Sequence, residues 1–148
     1  MNPAPAFASN RIRRAVAALM VVEAVSLAAI SVLHLSGVIG GGTRPYDPGA
    51  AGIAEAVIGI VLLAGAAVVV RSPKHGRTAA QAAVGLATAG FIVGLMFTIN
   101  GGRPADVAYH LTVLPVLILT LVLSRTRAKD RRFGRGRNPG GTQETTGR

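Results

Sequence analysis

Four long apolar stretches cover more than half of this 148-residue chain. An α-helix of about 20 apolar residues can cross a lipid bilayer, and each stretch comes close to or exceeds that length. The fourth is the weakest because it contains Pro115, although neighbouring helices can satisfy the carbonyl that a proline frees within a membrane. The pattern predicts an all-α membrane protein, with transmembrane helices over residues 15–38, 50–70, 78–99 and 106–123.

Composition agrees with a membrane protein and excludes several classes of soluble protein. Half of the residues are hydrophobic and only 15% are charged, against roughly 25% in a typical soluble domain. Without cysteine the chain can form neither a disulfide framework nor a cysteine-ligated metal site. Basic residues precede the first stretch, as they do in a signal peptide. The apolar region of a signal peptide has about 7–15 residues, and the first stretch, residues 15–38, is longer. We therefore expect a permanent first span.

The basic residues are distributed very unevenly between the two ends of the predicted helices. Fourteen of the 16 Lys and Arg residues lie before the first span, between the second and third, or after the fourth, and only Arg44 and Arg103 lie in the other two connections. Cytoplasmic loops of membrane proteins are enriched in Lys and Arg. We expect a multi-pass protein of the cytoplasmic membrane with both termini in the cytoplasm.

The two ends of the chain differ in composition from the transmembrane domain, which we assign to residues 11–125. Residues 1–10 are expected to be loose. Residues 126–148 form a basic tail that lacks large apolar residues beyond Phe133, so we expect it to be disordered. Beside a membrane such a tail is expected to bind anionic lipid headgroups rather than nucleic acid.

Short connections make successive helices antiparallel neighbours, so the sequence predicts an up-down-up-down four-helix bundle. The connections that contain Arg44 and Arg103 share a Gly-Gly-(Thr)-Arg-Pro-x-Asp pattern, and the two helical hairpins could therefore be repeats. The third stretch contains a GxxxG pattern, Gly90 to Gly94. Small residues at this spacing let helices approach closely, either within the bundle or in a homodimer or larger membrane complex.

Three ionisable side chains on three different helices are expected at one depth. With a rise of 1.5 Å per residue, His34, Glu55 and His110 each lie about 6 to 7 Å inside the outer end of their helix. If these side chains point inward, they form a polar cluster beneath the outer surface, joined by Asn100 and Tyr109. The loop residues expected to cap this cluster are Arg44, Asp47, Arg103 and Asp106.

Glu23 is expected in a separate layer, closer to the middle of the membrane. It precedes His34 by eleven positions, which places both side chains on nearly the same helix face. A bare carboxylate at this depth is costly. We therefore expect Glu23 to be protonated, or hydrogen-bonded to a polar residue such as Ser26, Thr88 or Thr120.

The residues of the cluster leave several kinds of chemistry open. His34, Glu55 and His110 are ligand types of zinc and non-haem iron sites, and two histidines could ligate a haem, but no local metal motif is present and no cofactor is predicted. The same groups could change protonation in a proton-coupled or quinone-like redox role. They could also form a purely structural hydrogen-bond network.

The segment Gly52–Gly65 resembles the second helix of the DoxX-like family of small four-span bacterial membrane proteins. A glutamate opens the span at Glu55, Gly59 follows four residues later, and a basic residue, Arg71, ends it. The resemblance implies a role for Glu55 and an association with quinone-linked oxidation or with membrane redox complexes. The abundance of Ala, Gly, Val and Arg also suggests a bacterial source.

Two functions follow from these observations. The first is an accessory or structural component of the cytoplasmic membrane, with the polar cluster near its outer face. The second is a redox or proton-handling membrane protein that uses His34, Glu55 and His110. No catalytic motif occurs, so an enzyme is not the expected class and no catalytic residue is assigned.

Overall fold

The protein is a bundle of four long helices, as the hydropathy pattern predicts. The computed structural model describes Phe7 and residues 9–126. Within these residues, each helix is antiparallel to the helix that precedes it in the chain. Most of the predicted loose N-terminus (1–10) and basic tail (126–148) lies outside the described residues. The helices are α1 (Asn10–Leu35), α2 (Pro48–Arg71), α3 (Gly76–Gly101) and α4 (Pro104–Arg125).

Local sequence explains where the helices begin and end. Ser9 caps α1 by accepting a hydrogen bond from the Ile12 backbone at 3.2 Å, and α2 and α4 have proline in their first turn, where no backbone donor is needed. α1 ends at Leu35, short of the predicted residue 38. The chain turns there through Gly37, whose φ of 75° is a left-handed conformation that glycine adopts without strain.

The outward faces of the helices are apolar. Many large aliphatic side chains are exposed on all four helices, among them Val22, Ile60, Met96 and Val122, each more than half exposed. Contiguous apolar surface of this extent is unfavourable in water. All four helices are long and apolar enough to cross a membrane, so the fold is compatible with a small multi-pass membrane protein.

The helices pack in a ring. The α1–α2 pair packs most extensively, followed by α2–α3 and α3–α4, and α1 and α4 close the ring. Gly65 permits one close approach, since a Cβ atom there would lie 2.7 Å from the Cβ of Ala83 on α3. The buried side chains between the helices include Met20, Leu27, Leu62, Val84, Phe91 and Leu117.

The motif shared by the two loops has a different structure in each hairpin. In the first, Asp47 is the N-cap of α2 and accepts hydrogen bonds from the backbone of Gly49 and Ala50. In the second, Arg103 is the N-cap and Asp106 lies within the first turn of α4. The two hairpins have the same direction, but their matching residues do not have matching positions.

Candidate functional site

A buried hydrogen-bond network lies at one end of the bundle, which we call the loop end because it carries the α1–α2 and α3–α4 connections. His34, in the last turn of α1, is at its centre. Its Nδ1 lies 2.8 Å from Oε2 of Glu55 on α2, and its Nε2 lies 3.1 Å from the hydroxyl of Tyr46 in the α1–α2 connection. Both side chains of the His34–Glu55 pair are nearly inaccessible, with 2% and 7% exposure.

Tyr46 extends the network to α4. Its hydroxyl donates to Oδ2 of Asp106 at 3.2 Å, and the same oxygen accepts the backbone N–H of Arg103 at 3.3 Å. The other oxygen, Oδ1, lies 3.5 Å from Nε2 of His34. Glu55, His34, Tyr46 and Asp106 thus form one continuous chain of contacts through α2, α1, the connection and α4.

Tyr46 is held in place by the backbone of the connection. Gly41 and Gly42 have φ values of 90° and 106°, and this turn brings the Thr43 N–H within 2.8 Å of the Gly101 carbonyl at the end of α3. The Tyr46 N–H then donates to the Thr43 carbonyl at 3.0 Å. The connection therefore folds across the loop end and inserts a phenol between α1 and α4.

With Asp106 ionised, the donors and acceptors assign the protons of the network. The Tyr46 hydroxyl proton is used on Asp106, so Nε2 of His34 must donate to the Tyr46 oxygen. One further proton lies between Nδ1 of His34 and Oε2 of Glu55, on either atom. The His34–Glu55 pair is then neutral overall, and with the Asp106 carboxylate the network carries one net negative charge.

The Tyr46 phenol stays neutral in this environment. Burial raises its pKa above the usual range, and the negative charge of Asp106 adds to the effect, because both disfavour a phenolate. Tyr46 can therefore pass on a proton only by receiving one at the same time, as an un-ionised link between His34 and Asp106.

Glu55 also borders a cleft between α2 and α3. The cleft has a volume of about 500 Å³ and mostly apolar walls. Oε1 of Glu55 is buried and has no hydrogen-bond partner among the described residues, while the whole residue is only 5% exposed. The network therefore ends, on the side of α2, in a buried acceptor atom of a residue that lines the cleft.

His110 lines the same cleft but is held separately from His34. Its Nδ1 lies 2.8 Å from the Asp106 backbone carbonyl, one turn earlier in α4, so Nδ1 carries the proton of the neutral ring and Nε2 is an acceptor. The ring packs on Phe91 with centroids 5.0 Å apart, and Nε2 lies against Gly94, where a Cβ atom would approach it to 2.7 Å.

The remaining residues expected in the cluster or its cap have other positions. Asn100 is exposed and donates to the Met96 carbonyl, because its place on α3 faces outward. The Tyr109 hydroxyl lies 3.2 Å from Ser26 Oγ on α1, deeper in the bundle. Arg44, Asp47 and Arg103 are exposed, and of the predicted cap only Asp106 enters the network.

Glu23 forms a second buried polar contact, near the middle of the bundle. Its Oε1 accepts a hydrogen bond from Thr120 on α4 at 2.8 Å, one of the three partners that the sequence suggested. Ser26 instead bonds to the Glu23 backbone carbonyl, and Thr88 to that of Val84. Glu23 and His34 are both buried, with Leu27 and Ser31 between them, as the shared helix face predicts.

Arg77 forms a contact that the sequence did not suggest. It is 5% exposed, and its guanidinium donates to the carbonyls of Ser124 at 3.1 Å and Arg125 at 3.2 Å. These carbonyls lie at the C-terminal end of α4, where a positive charge is favourable. Gln81 adds a second donor to the Ser124 carbonyl, so α3 caps α4 at the end opposite to the loop end.

The residues that the sequence suggested as metal ligands, His34, Glu55 and His110, face other partners in the structure. Within Phe7 and residues 9–126, no group of three or more His, Asp or Glu side chains surrounds a common point suited to a metal ion. Both nitrogens of His34 are engaged with Glu55 and Tyr46, and Nδ1 of His110 faces its own helix. Glu55 and His34 share one buried hydrogen bond, and Glu55 also lines the cleft.

Comparisons with protein-family models, with curated proteins and with solved structures found no match to this chain. The resemblance to DoxX-like proteins therefore stays a prediction.

Proposed function

We propose that this chain is a small multi-pass membrane protein that handles protons through the Glu55–His34–Tyr46–Asp106 network. The observation that carries the proposal is the unbroken series of contacts of 2.8, 3.1 and 3.2 Å between these four side chains. Histidine ordinarily gains or loses a proton near physiological pH, and carboxylates do so at lower pH. A proton that reaches Glu55 at the cleft can displace another towards Asp106 at the loop end.

The burial of the network supports this role. All four residues are at most 8% exposed, so bulk water cannot exchange their protons directly. The proton between His34 and Glu55 can move by a shift within one hydrogen bond, which requires no change of side-chain rotamer. Displacement of a proton towards the loop end then follows the same contacts in order.

Infrared spectroscopy of the full chain in lipid nanodiscs tests the proposal. On a pH step between about 4 and 9, a range that spans the ordinary titration of carboxylates and imidazole, we expect a carboxyl band and an imidazole band to change together. This coupled pair of bands, which is distinct from the changes of the exposed His75 and of any exposed carboxylate, should disappear in Glu55→Gln and in His34→Asn. Glu23→Gln is the matched control, because Glu23 contacts Thr120 and not the network, and it should keep both changes. Bands that change independently, or that persist in Glu55→Gln, would overturn the proposal.

A structural or accessory role is the second candidate, and one observation favours it. Every contact of the network joins different elements: α1 to α2, α1 to the connection, and the connection to α4. Optical spectra and metal content of the purified protein, with His34→Ala and Glu55→Gln alongside, separate the candidates further. A colourless, metal-free protein whose variants only melt earlier and give no infrared signal supports the accessory role.

We further propose a bacterial cytoplasmic membrane as the location, with both termini in the cytoplasm. Arg71, Lys74 and Arg77 lie at the same end of the bundle as the start of α1 and the end of α4, which is the end that the positive-inside rule assigns to the cytoplasm. The quinone-linked chemistry associated with DoxX-like proteins is one reaction that a proton-handling Glu55 could serve.

A further inference from the structure

The cleft between α2 and α3 has the dimensions and walls of a small-molecule site. Its volume of about 500 Å³ lies within the range of roughly 300 to 1,000 Å³ that is typical of ligand pockets. Ala54 and Ile58 of α2 face Gly90 and Gly94 of α3 across it. Small side chains on both helices keep the space open, and a Cβ atom at Gly90 would meet Ile58 at 2.7 Å.

The rim of the cleft lies on the apolar outer surface of the bundle. Val93 and Phe97 border it and are 53% and 48% exposed. A molecule dissolved in the bilayer could therefore enter from the side, between α2 and α3. An apolar body suits these walls, and it would displace lipid rather than water.

Two polar atoms of the residues that line the cleft are acceptors, and the hydroxyl groups of Tyr46 and Thr98, which also line it, donate to partners within the protein. Oε1 of Glu55 is an acceptor wherever the shared proton of the His34–Glu55 pair lies, since that proton occupies the contact of Oε2. Nε2 of His110 is an acceptor because Nδ1 donates to the Asp106 carbonyl. Two acceptors beside one cavity select a ligand that donates hydrogen bonds and disfavour one that can only accept them.

The charge around the cleft favours a cation among the possible donors. Proton counting gives the network one net negative charge, and Glu55 borders the cleft directly. The rings of Tyr46, Phe91 and Phe97 also line it, and aromatic faces attract ammonium groups. An anion would meet a site of its own sign in surroundings of low dielectric constant, where such repulsion is strong.

We propose that the α2–α3 cleft binds a lipid-soluble cationic amine, whose ammonium group donates to Oε1 of Glu55 and Nε2 of His110. This binding site goes beyond proton handling, because it requires the two acceptors and the cleft but no transfer of a proton along the network.

Three probes with one aromatic body separate charge from shape: 2-naphthylmethylamine, 2-naphthylmethanol and 2-naphthylacetate. Their binding to the full chain is measured by equilibrium dialysis in zwitterionic nanodiscs, with empty nanodiscs as the blank, so that membrane partitioning is subtracted. We expect saturable binding of the amine with one site per chain, binding of the alcohol at least about tenfold weaker, and no binding of the acid above the blank. Equal binding of alcohol and amine, or saturable binding of the acid, would overturn the proposal.

Two variants tie the binding to the cleft. Glu55→Gln removes the ionisable group and should weaken amine binding at least about tenfold. Ala54→Leu fills the cleft from its exposed wall without contact to the network, and should weaken all probes that bind. Ala64→Leu is the matched control, because Ala64 is exposed on the same helix and away from the cleft lining.

Each outcome has a distinct meaning. Unchanged amine binding in Glu55→Gln or in Ala54→Leu excludes this site, provided that Ala64→Leu also binds normally. If Glu55→Gln fails to fold, Ala54→Leu decides alone, since it leaves every hydrogen bond of the network in place. Amine binding without the coupled infrared signal would overturn proton handling and keep the site, whereas the signal without amine binding would do the reverse.

Discussion

Replacing Tyr46 by phenylalanine tests whether the network is as continuous as its distances indicate. The substitution removes one oxygen atom and keeps the ring, which is 8% exposed and packed edge-on to His34 at a centroid distance of 6.5 Å. It deletes both the acceptor for Nε2 of His34 and the donor to Asp106. The network is then cut in the middle without a cavity large enough to disturb the core.

The cost can be worked out from the contacts that are lost and the one that can replace them. A hydrogen bond to a charged carboxylate contributes about 1.5 to 3 kcal/mol and a neutral one about 1 kcal/mol. Part of this is recovered, because Nε2 of His34 already lies 3.5 Å from Oδ1 of Asp106 and can approach it. Asp106 also keeps the backbone N–H of Arg103. We expect Tyr46→Phe to lower the free energy of unfolding by about 2 kcal/mol.

Tyr109→Phe is the matched control, because it removes the same atom from the only other tyrosine. Within the described part of the chain the hydroxyl of Tyr109 has a single hydrogen-bond partner, Ser26 at 3.2 Å, and Ser26 also bonds to the Glu23 carbonyl. Hydrogen bonds between transmembrane helices average about 0.6 kcal/mol, so a loss of this size is expected. Both variants are unfolded from mixed micelles by a denaturing detergent at neutral pH. A Tyr46→Phe loss equal to or smaller than that of Tyr109→Phe would refute the continuous network.

Three further predictions follow from the same structure. In Tyr109→Phe, Tyr46 is the only tyrosine, and burial raises its pKa. No phenolate absorbance should therefore develop near pH 10. The stability that depends on the neutral phenol should be complete below about pH 10 and lost above it. Half-ionisation near pH 10 would contradict this. Thr120→Val keeps the side-chain shape but leaves both carboxyl oxygens of Glu23 without partners among the described residues. The free energy of unfolding should fall by about 0.6 to 1.7 kcal/mol, and a fall below about 0.3 kcal/mol would count against the contact. Since the chain has no cysteine, a membrane-impermeant maleimide applied to intact cells should label Thr43→Cys but label Pro73→Cys only after permeabilisation, and the opposite pattern would reverse the proposed orientation.

Hydropathy and helical period were sufficient to predict the bundle and the inward face of α1. Lipid cannot hydrogen-bond to the backbone, so an apolar stretch of this length has to be helical, and the boundaries then follow from glycine, proline and capping residues. The eleven-residue spacing predicted that Glu23 and His34 share a face, and both are buried. The depth calculated along each helix likewise predicted that His34 and Glu55 lie at one level, and the two side chains are hydrogen-bonded.

Tyr46 and Arg77 could not be found in this way. Tyr46 lies in a connection without periodicity, and it enters the network only because two glycines with positive φ turn the backbone towards the Gly101 carbonyl. Arg77 is one of the basic residues around the α2–α3 connection, and basic residues are typical of cytoplasmic loops. The sequence alone therefore indicates a role in topology and not a buried contact. The burial of Arg77 depends on the position of the α4 carbonyls beside the start of α3, which hydropathy does not encode.

The buried glutamates Glu23 and Glu55 differ in what surrounds them and therefore in what they can do. Each has one hydrogen-bonded oxygen and one without a partner among the described residues. Glu23 contacts Thr120, whose hydroxyl otherwise bonds to the Val116 carbonyl of its own helix. This contact joins α1 to α4 and leads to no further titratable group among the described residues. Glu55 contacts an imidazole that leads to the loop end, and it borders an open cleft. Substitution of Glu23 should therefore change stability alone, whereas substitution of Glu55 should also change what the protein binds and how it exchanges protons.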